Sequence, residues 1–471
     1  MMKTNRLIFP GFWFGKTSIE DVKKLASMGV GGFCFYGGKP QELKELISSL
    51  QNLAPYPLLF AADYEAGLGR WHEGLPLLPT NYTLGLIGRE DLAIKKGFLT
   101  AVQAKELGIN WIFAPVVDLA DTPNNPIVNT RAFSANPREV IRIARAFSIG
   151  LADGACLNCL KHFPGHGSTT QDSHLTMPTV TKNLMQLKEE DLLPYRELIT
   201  RADSIMVSHL LVKCLDNNNP ASFSKEIMTG LLRKTMFYKG LIITDALTMK
   251  ATNGLDPVDA FVAGADVLLC PDNPFKIMDD LAKRVKENPE LKERVFYSIS
   301  TQEMMAARLK NMHPLACKDA ISASAQLNEE AANAVLQKLK PQITLSGRKN
   351  ITYLILDENK TSALPPFLEN LKENGFKLTP YKNGKKTDFL LALNFEDYTA
   401  FKGTVNLSAA QKTLLQNALN NAENSLLISF GSPYINEGLS NLKEFLPLAS
   451  KDKEFQIAAA RKLCGFLDFG F

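Results

Sequence analysis

Histidine is scarce in this chain, with six in 471 residues and none after His313. Cysteine numbers seven, an odd count without the regular spacing of a disulfide framework, which points to free thiols in a reducing, cytoplasmic compartment. Charge of one sign is also missing. The 53 Lys and Arg nearly balance 49 Asp and Glu, net +4, and no basic stripe or interleaved aromatic platform accompanies them, so a nucleic-acid partner is not expected. No apolar run approaches the ~18 residues of a membrane-spanning helix, so no membrane partner is expected. The apolar segment near the N-terminus is short, is broken by Pro10 and Gly11 and lacks a small-residue cleavage site, which makes it a poor signal peptide. Internal repeats and low-complexity tracts are absent too. From residue 350 onward there is no glycine-rich phosphate loop, so dinucleotide binding there is not expected.

What is present is rhythm. With 45% hydrophobic residues the chain can fill real cores. Short apolar runs recur at 7–13, 30–36, 58–62, 111–115, 156–160, 204–207, 241–243 and 266–270, eight in all. Amphipathic stretches lie between them, at 19–28, 40–53, 94–107, 137–152, 187–199 and 225–235. Continuous apolar strands are buried on both faces, and strand–helix alternation means a parallel sheet. Eight such units over about 300 residues predict an α/β fold of the (β/α)8 TIM-barrel type. Helical patterns at 290–310 and 326–339 follow. A smaller α/β rhythm then restarts, with strands at 351–356, 389–393 and 425–429 and helices at 366–373, 409–422 and 455–464. The expected division is a catalytic barrel over 1–318, a linker and helix over 319–345, and a C-terminal α/β domain over 346–471.

A barrel carries its chemistry just past the C-terminal ends of its strands. Polar residues stand at those points: Asp63 after the third run, Lys161-His162 after the fifth, Ser208-His209 after the sixth and Asp245 after the seventh. Three of the six histidines fall within Lys161-His162-Phe163-Pro164-Gly165-His166-Gly167 and the Asp172-Ser173-His174 that follows four residues later. In a tight turn the Asp172 carboxylate can bond one nitrogen of His174 and leave the other for proton transfer, or the pair simply caps the next helix. Asp245 can be a nucleophile, a metal ligand or a helix cap, and Asp63 a sugar-hydroxyl acceptor or a cap. On a regular strand Lys161 and His162 point to opposite sides, so only one would face the barrel axis. A metal-dependent hydrolase using His162, His166, His174 and Asp245 is an alternative. Cys156 and Cys159 do not join it, since on a strand they face opposite ways.

The Lys161–Gly167 run with Asp172-Ser173-His174 resembles the motif of glycoside hydrolase family 3 β-N-acetylglucosaminidases. Asp63-Tyr64-Glu65-Ala66-Gly67 is similar to that family's Asp-x-Glu-x-Gly segment. Two further segments, Phe113-Ala114-Pro115-Val116-Val117-Asp118-Leu119 and Asn129-Thr130-Arg131-Ala132-Phe133, also resemble it, as does Ile243-Thr244-Asp245-Ala246-Leu247. The resemblance implies a retaining exo-β-N-acetylglucosaminidase that needs no metal or cofactor. Asp245 would be the nucleophile, His174, oriented by Asp172, the acid/base, and Asp63, Arg131, Lys161 and His162 the sugar-binding residues. A small carbohydrate from muropeptides, released in peptidoglycan recycling, would be the substrate. Because a neutral imidazole does not repel an anionic acceptor, a phosphorylase is the within-family alternative, alongside a β-glucosidase. Pro164, Gly165 and Gly167 are expected to let the histidine loop move over bound sugar. This chain departs from the family in two places: Ala66 replaces a frequent glycine, and Trp71 stands where a sugar-contacting arginine is usual, with Arg70 one position earlier.

Overall fold

Eight parallel strands close on themselves between Ile8 and Leu269. They are β1 (Ile8–Phe9, continued past Pro10 by Gly11–Trp13), β2 (Gly32–Tyr36), β3 (Leu59–Ala62), β4 (Trp111–Ile112), β5 (Cys159–Phe163), β6 (Ser204–Val207), β7 (Leu241–Thr244) and β8 (Leu268–Leu269). This is a computed structural model, which describes residues 3–172, 175–358, 363–398 and 407–465. Parallel ladders join β1 to β2, β2 to β3, β3 to β4, β5 to β6, β6 to β7 and β8 back to β1. The two remaining seams are carried by single bridges, Trp111 with Leu157 and Val116 with Lys161 on one, Ile243 with Val267 on the other.

The side-chain period of two decides what fills the barrel. Leu59 and Ala61 of β3, Cys159 of β5 and Leu241 and Ile243 of β7 point inward with Phe9, Trp111 and Met206. Their neighbours Phe60, Ala62, Leu160 and Ile242 face outward, under the helices. Cys156 belongs to the outer layer and Cys159 to the interior, as their spacing predicts. Trp111 plugs the centre, its indole N–H donating to Ser204 Oγ at 3.0 Å. The strand predicted at 156–160 begins only at Cys159 and runs on through Lys161 and His162. The helix predicted at 187–199 is two helices, Leu184–Glu189 and Leu192–Leu198, the second with Pro194 in its first turn, where a missing N–H costs nothing.

The second sheet holds five parallel strands: β9 (Asn350–Leu356), β10 (Lys377–Pro380), β11 (Thr387–Asn394), β12 (Ala422–Ser429) and β13 (Glu444–Pro447), in the order β10-β9-β11-β12-β13. One face, with Leu354, Leu390 and Leu427, packs on the helix Ala409–Asn420. The other, with Leu391 and Ile428, packs on Pro366–Glu373 and Lys453–Leu463. Helices on both faces make a doubly wound sheet, whose natural crevice lies beyond the C-terminal strand ends. Strands β10 and β13 were not foreseen from the sequence. Both are short edges: β10 is largely exposed and needs no apolar signature, and the four residues of half-buried β13 are too few to show a period. Between the two sheets the helix Ala320–Leu339 packs against the barrel helix Glu90–Glu106 and against Lys453–Leu463. The second sheet also touches the barrel directly. Thr83 Oγ1 donates to the Leu448 carbonyl at 2.7 Å, and Asn129 Nδ2 to Ser432 Oγ at 3.1 Å. These contacts turn the C-terminal strand ends of both sheets toward one another.

Candidate active site

A cavity of about 470 Å³ opens where those strand ends meet. Its floor is a network of two cations and two carboxylates. Lys161, 1% exposed, places Nζ 2.6 Å from Asp63 Oδ1 and 2.5 Å from Glu65 Oε1. Arg131 meets Glu65 in a fork, Nε to Oε2 at 2.7 Å and Nη2 to Oε1 at 2.6 Å. Burial alone would push the Glu65 carboxyl up, but Arg131 and Lys161 outweigh it and hold it well below the usual carboxylate range. Burial pulls Lys161 down, and Asp63 and Glu65 more than reverse that. Glu65, Lys161 and Arg131 are therefore each held in the charged form. The network offers fixed donors and acceptors to a polyol at little reorganisation cost. Trp71, in the place of the family's arginine, donates its indole N–H to the Asp63 carbonyl at 2.8 Å.

Lys161 and His162 both face this cavity, contrary to strict strand alternation. Leu160 and Phe163 both face outward, so two consecutive residues between them point in. The pairing of β5 shifts register between Leu160 and Phe163, and the Lys161–His162 peptide is cis. A buried carboxylate, Asp118, holds the turn that follows. It accepts from His162 Nδ1 at 2.6 Å and from the backbone N–H of His166 at 2.7 Å. Because a carboxylate only accepts, His162 carries its proton on Nδ1, and its Nε2 faces Arg131 Nη2 at 3.4 Å.

His166 packs beside it, Nδ1 at 2.7 Å from Thr169 Oγ1, and its backbone carbonyl accepts from Asn125 at 2.8 Å. Gly165 and Gly167, expected to let the loop move, are also positions of close approach. A Cβ at Gly165 would stand 2.6 Å from Asp191 Cβ, and one at Gly167 2.2 Å from the Leu119 carbonyl oxygen. Burial pushes the His166 imidazole down to about 4 from its ordinary 6.5. In that window the unfolded chain takes up a proton that the folded one refuses, so stability rises with pH from 4 to 6.5 and is lost on acidification. A depression of this size is worth about 3 kcal/mol. Exchanging His166 for glutamine should flatten this part of the urea-denaturation profile by about that amount. Parallel profiles for the two proteins would refute the assignment.

Asp245 follows β7 directly, 7% exposed, its Oδ1 accepting the N–H of Ala246 at 2.8 Å while it borders the cavity. His209, also at a strand end, does not border it. Its Nε2 donates to the Ala246 carbonyl at 3.1 Å and its Nδ1 lies 2.6 Å from Ser222 Oγ, so it buttresses the Asp245 turn from behind. The opposite wall comes from the second sheet. Asp397 and Tyr398 follow β11 and Lys451 follows β13. Thr130 Oγ1 donates to Asp397 Oδ1 at 2.9 Å, and the Tyr398 ring lies under the guanidinium groups of Arg70 and Arg131, 4.2 and 5.2 Å from its centroid.

Of the residues singled out in the sequence, Asp63, Arg131, Lys161, His162 and Asp245 surround one cavity. Asp172 is buried, and its carbonyl accepts from the N–H groups of Leu175 and Thr176 at 2.9 and 3.0 Å. His174 lies outside the described residues. Among the described residues no group of three or more His, Cys, Asp or Glu side chains is arranged to hold a metal ion. Reading the sequence alone left Glu65, Asp118, Asn81, Asp397 and Tyr398 without roles. For Glu65 and Asp118 a signal existed, since both stand within segments that resemble the family. The others carry none, because their partners lie far away along the chain.

The N-terminal domain of glycosyl hydrolase family 3 matches residues 2–300. A β-hexosaminidase of Neisseria meningitidis serogroup C (strain 053442) is 34% identical over 309 residues, which cover 61% of this chain and 84% of that one. Among solved structures, a glycoside hydrolase family 3 β-N-acetylglucosaminidase from Paenibacillus sp. str. FPU-7 superposes with a TM-score of 0.82 at 23% identity, covering 99% of this chain and 96% of the other. A β-glucoside phosphorylase bound to 2FGlc reaches 0.85 at 22% identity, covering 98% and 92%. At such identities these two speak for the fold, a TIM barrel joined to an α/β sandwich, and not for a substrate. The sequence match runs through every barrel strand that delivers Asp63, Lys161 and Asp245, and on that ground the chain belongs to glycosyl hydrolase family 3 and is a glycoside hydrolase.

Proposed function

We propose that this enzyme is a retaining exo-β-N-acetylglucosaminidase acting on cytoplasmic muropeptide fragments. The observation that carries the reading is the cavity itself: Asp245 and the Asp63–Lys161–Glu65–Arg131 network reach it from separate strand ends. A carboxylate beside a preformed grip for hydroxyl groups suits attack at a sugar's anomeric carbon. The β-hexosaminidase name of the Neisseria relative favours an N-acetylhexosamine in the grip.

In the first step a carboxylate oxygen of Asp245 bonds to the anomeric carbon as the bond to the leaving oxygen breaks, and that oxygen takes a proton from His174. In the second step His174 removes a proton from water, whose oxygen displaces Asp245 and regenerates the enzyme with the anomeric configuration retained. Asp172 holds the imidazole in the tautomer that this shuttle needs.

The test is turnover of a chromogenic β-N-acetylglucosaminide and of an N-acetylglucosaminyl–anhydromuramyl disaccharide, in water and in phosphate, with the product anomer read by NMR. The expected result is release of free β-N-acetylglucosamine from both. A sugar phosphate as the main product would replace this reading with a phosphorylase, preference for the glucoside with a β-glucosidase, and an initial α-anomer would remove the covalent intermediate.

A further inference from the structure

Lys96 sits in the helix Glu90–Glu106 with none of its surface exposed, a place where an amine is expensive. Its Nζ donates to Asn81 Oδ1 at 2.7 Å and stands 5.4 Å from the centre of the Phe147 ring. Burial pushes its pKa down to about 7, with the nearby Glu65 carboxylate pulling the other way. As an ammonium the group only donates, and so it selects the carbonyl side of the Asn81 amide.

That selection has a consequence on the far side of the amide. With Oδ1 engaged by Lys96, Nδ2 is turned to the backbone carbonyl of Arg131, to which it donates at 2.7 Å. A flipped amide would set oxygen against oxygen there. Arg131 ends a turn in which Asn129 has a φ of 34°, the left-handed region. Each residue of that turn is fastened from outside: Asn129 by Ser432, Thr130 by Asp397 and Arg131 by Asn81. Asn81 is itself buried and borders the cavity.

We propose that Lys96 and Asn81 are positioning residues for Arg131. The buried amine locks the amide, the amide holds the Arg131 backbone, and the guanidinium is thereby presented to Glu65 and to the sugar at fixed distance. The inference rests on Arg131 being a sugar-binding residue.

Two substitutions separate this from a purely structural role. In Asn81→Asp, Lys96 gains an anionic partner, but a carboxylate oxygen now faces the Arg131 carbonyl. The unfolding midpoint should hold or rise while KM rises on the order of tenfold and kcat changes less. Lys96→Met removes the lock and should raise KM similarly without lowering the midpoint, since a buried amine is also removed. Lys96→Gln, which can still donate to Oδ1, should recover part of the loss. The readout is KM for whichever aryl β-glycoside the wild-type protein turns over, N-acetylglucosaminide or glucoside, so a wrong choice of sugar sinks the functional reading and leaves this one standing. A wild-type KM in both Asn81→Asp and Lys96→Met would overturn the proposal, as would losses that merely follow a fall in folded protein. Failure of the wild-type protein to turn over either glycoside would overturn both readings.

Discussion

Asp245→Ala should fold normally and retain at most a trace of turnover, a loss on the order of 10⁴-fold or more. Asp245 sits at the end of β7 with 7% exposure, one oxygen held by the Ala246 N–H and the residue bordering the cavity. Removing the carboxylate deletes the atom that would bond to the anomeric carbon. The backbone link from the Asp245 N–H to the Val207 carbonyl at 2.9 Å does not involve the side chain and keeps the strand end in place. The lost local cap should cost only about 1 kcal/mol of stability. A small external nucleophile such as azide should enter the vacated space and yield the inverted glycosyl azide, because the barrel's grip on the sugar is untouched. Turnover within tenfold of wild type would mean that another group attacks.

Lys161→Met should damage both stability and turnover. Lys161 is 1% exposed and stands between Asp63 and Glu65 at 2.6 and 2.5 Å. Methionine matches its length and leaves its charge behind. The two carboxylates then face each other with only Arg131 to offset them, and only Glu65 is bonded to it. Breaking a buried ion pair on one side costs about 3–5 kcal/mol. The sign with pH follows from Glu65, whose carboxyl is held below its ordinary range in the folded protein. That depression contributes stability above the ordinary carboxylate pKa, and the contribution is lost on acidification. The variant should therefore be most destabilised near neutrality and approach wild type in acid. A constant difference in denaturation midpoint from pH 4 to 8 would show that Lys161 acts through packing alone. Turnover should fall as well, since Asp63 loses the partner that fixes its orientation toward the sugar.

These two residues were legible in the sequence for one reason. A polar side chain just past a short apolar run stands at the mouth of a barrel whichever barrel it is, so the position of Asp245 beyond residues 241–243 was informative without coordinates. Ser208-His209 shows the limit of that inference. It occupies an equivalent point after β6, yet His209 bonds Ser222 and the Ala246 carbonyl and serves the turn behind Asp245. A strand end determines where a residue is, and the neighbouring loops decide which way its side chain turns. Lys161 and His162 make the same point from within a strand: alternation predicts one inward residue, and the irregular pairing of β5 with β6 delivers two.

The glycines of the histidine loop read as flexible from composition, because glycine permits motion. The structure assigns Gly165 and Gly167 to close contacts with Asp191 and Leu119, which a sequence does not display. The edge strand β10 was illegible because it buries little and so carries no apolar pattern, and β13 because four residues are too few to show a period.

By itself the sequence determined the barrel, the smaller α/β unit that follows it along the chain and the strand ends that bear Asp63, Lys161 and Asp245, since burial imposes local periods of two and 3.6 residues that survive in one dimension. Only the tertiary structure decided that Asp397, Tyr398 and Lys451 wall the cavity from the second sheet, that Asp118 fixes His162, and that Lys96 reaches Arg131 through Asn81. These are pairings between residues up to hundreds of positions apart. Each depends on where the chain returns to after folding, and no local period records that return.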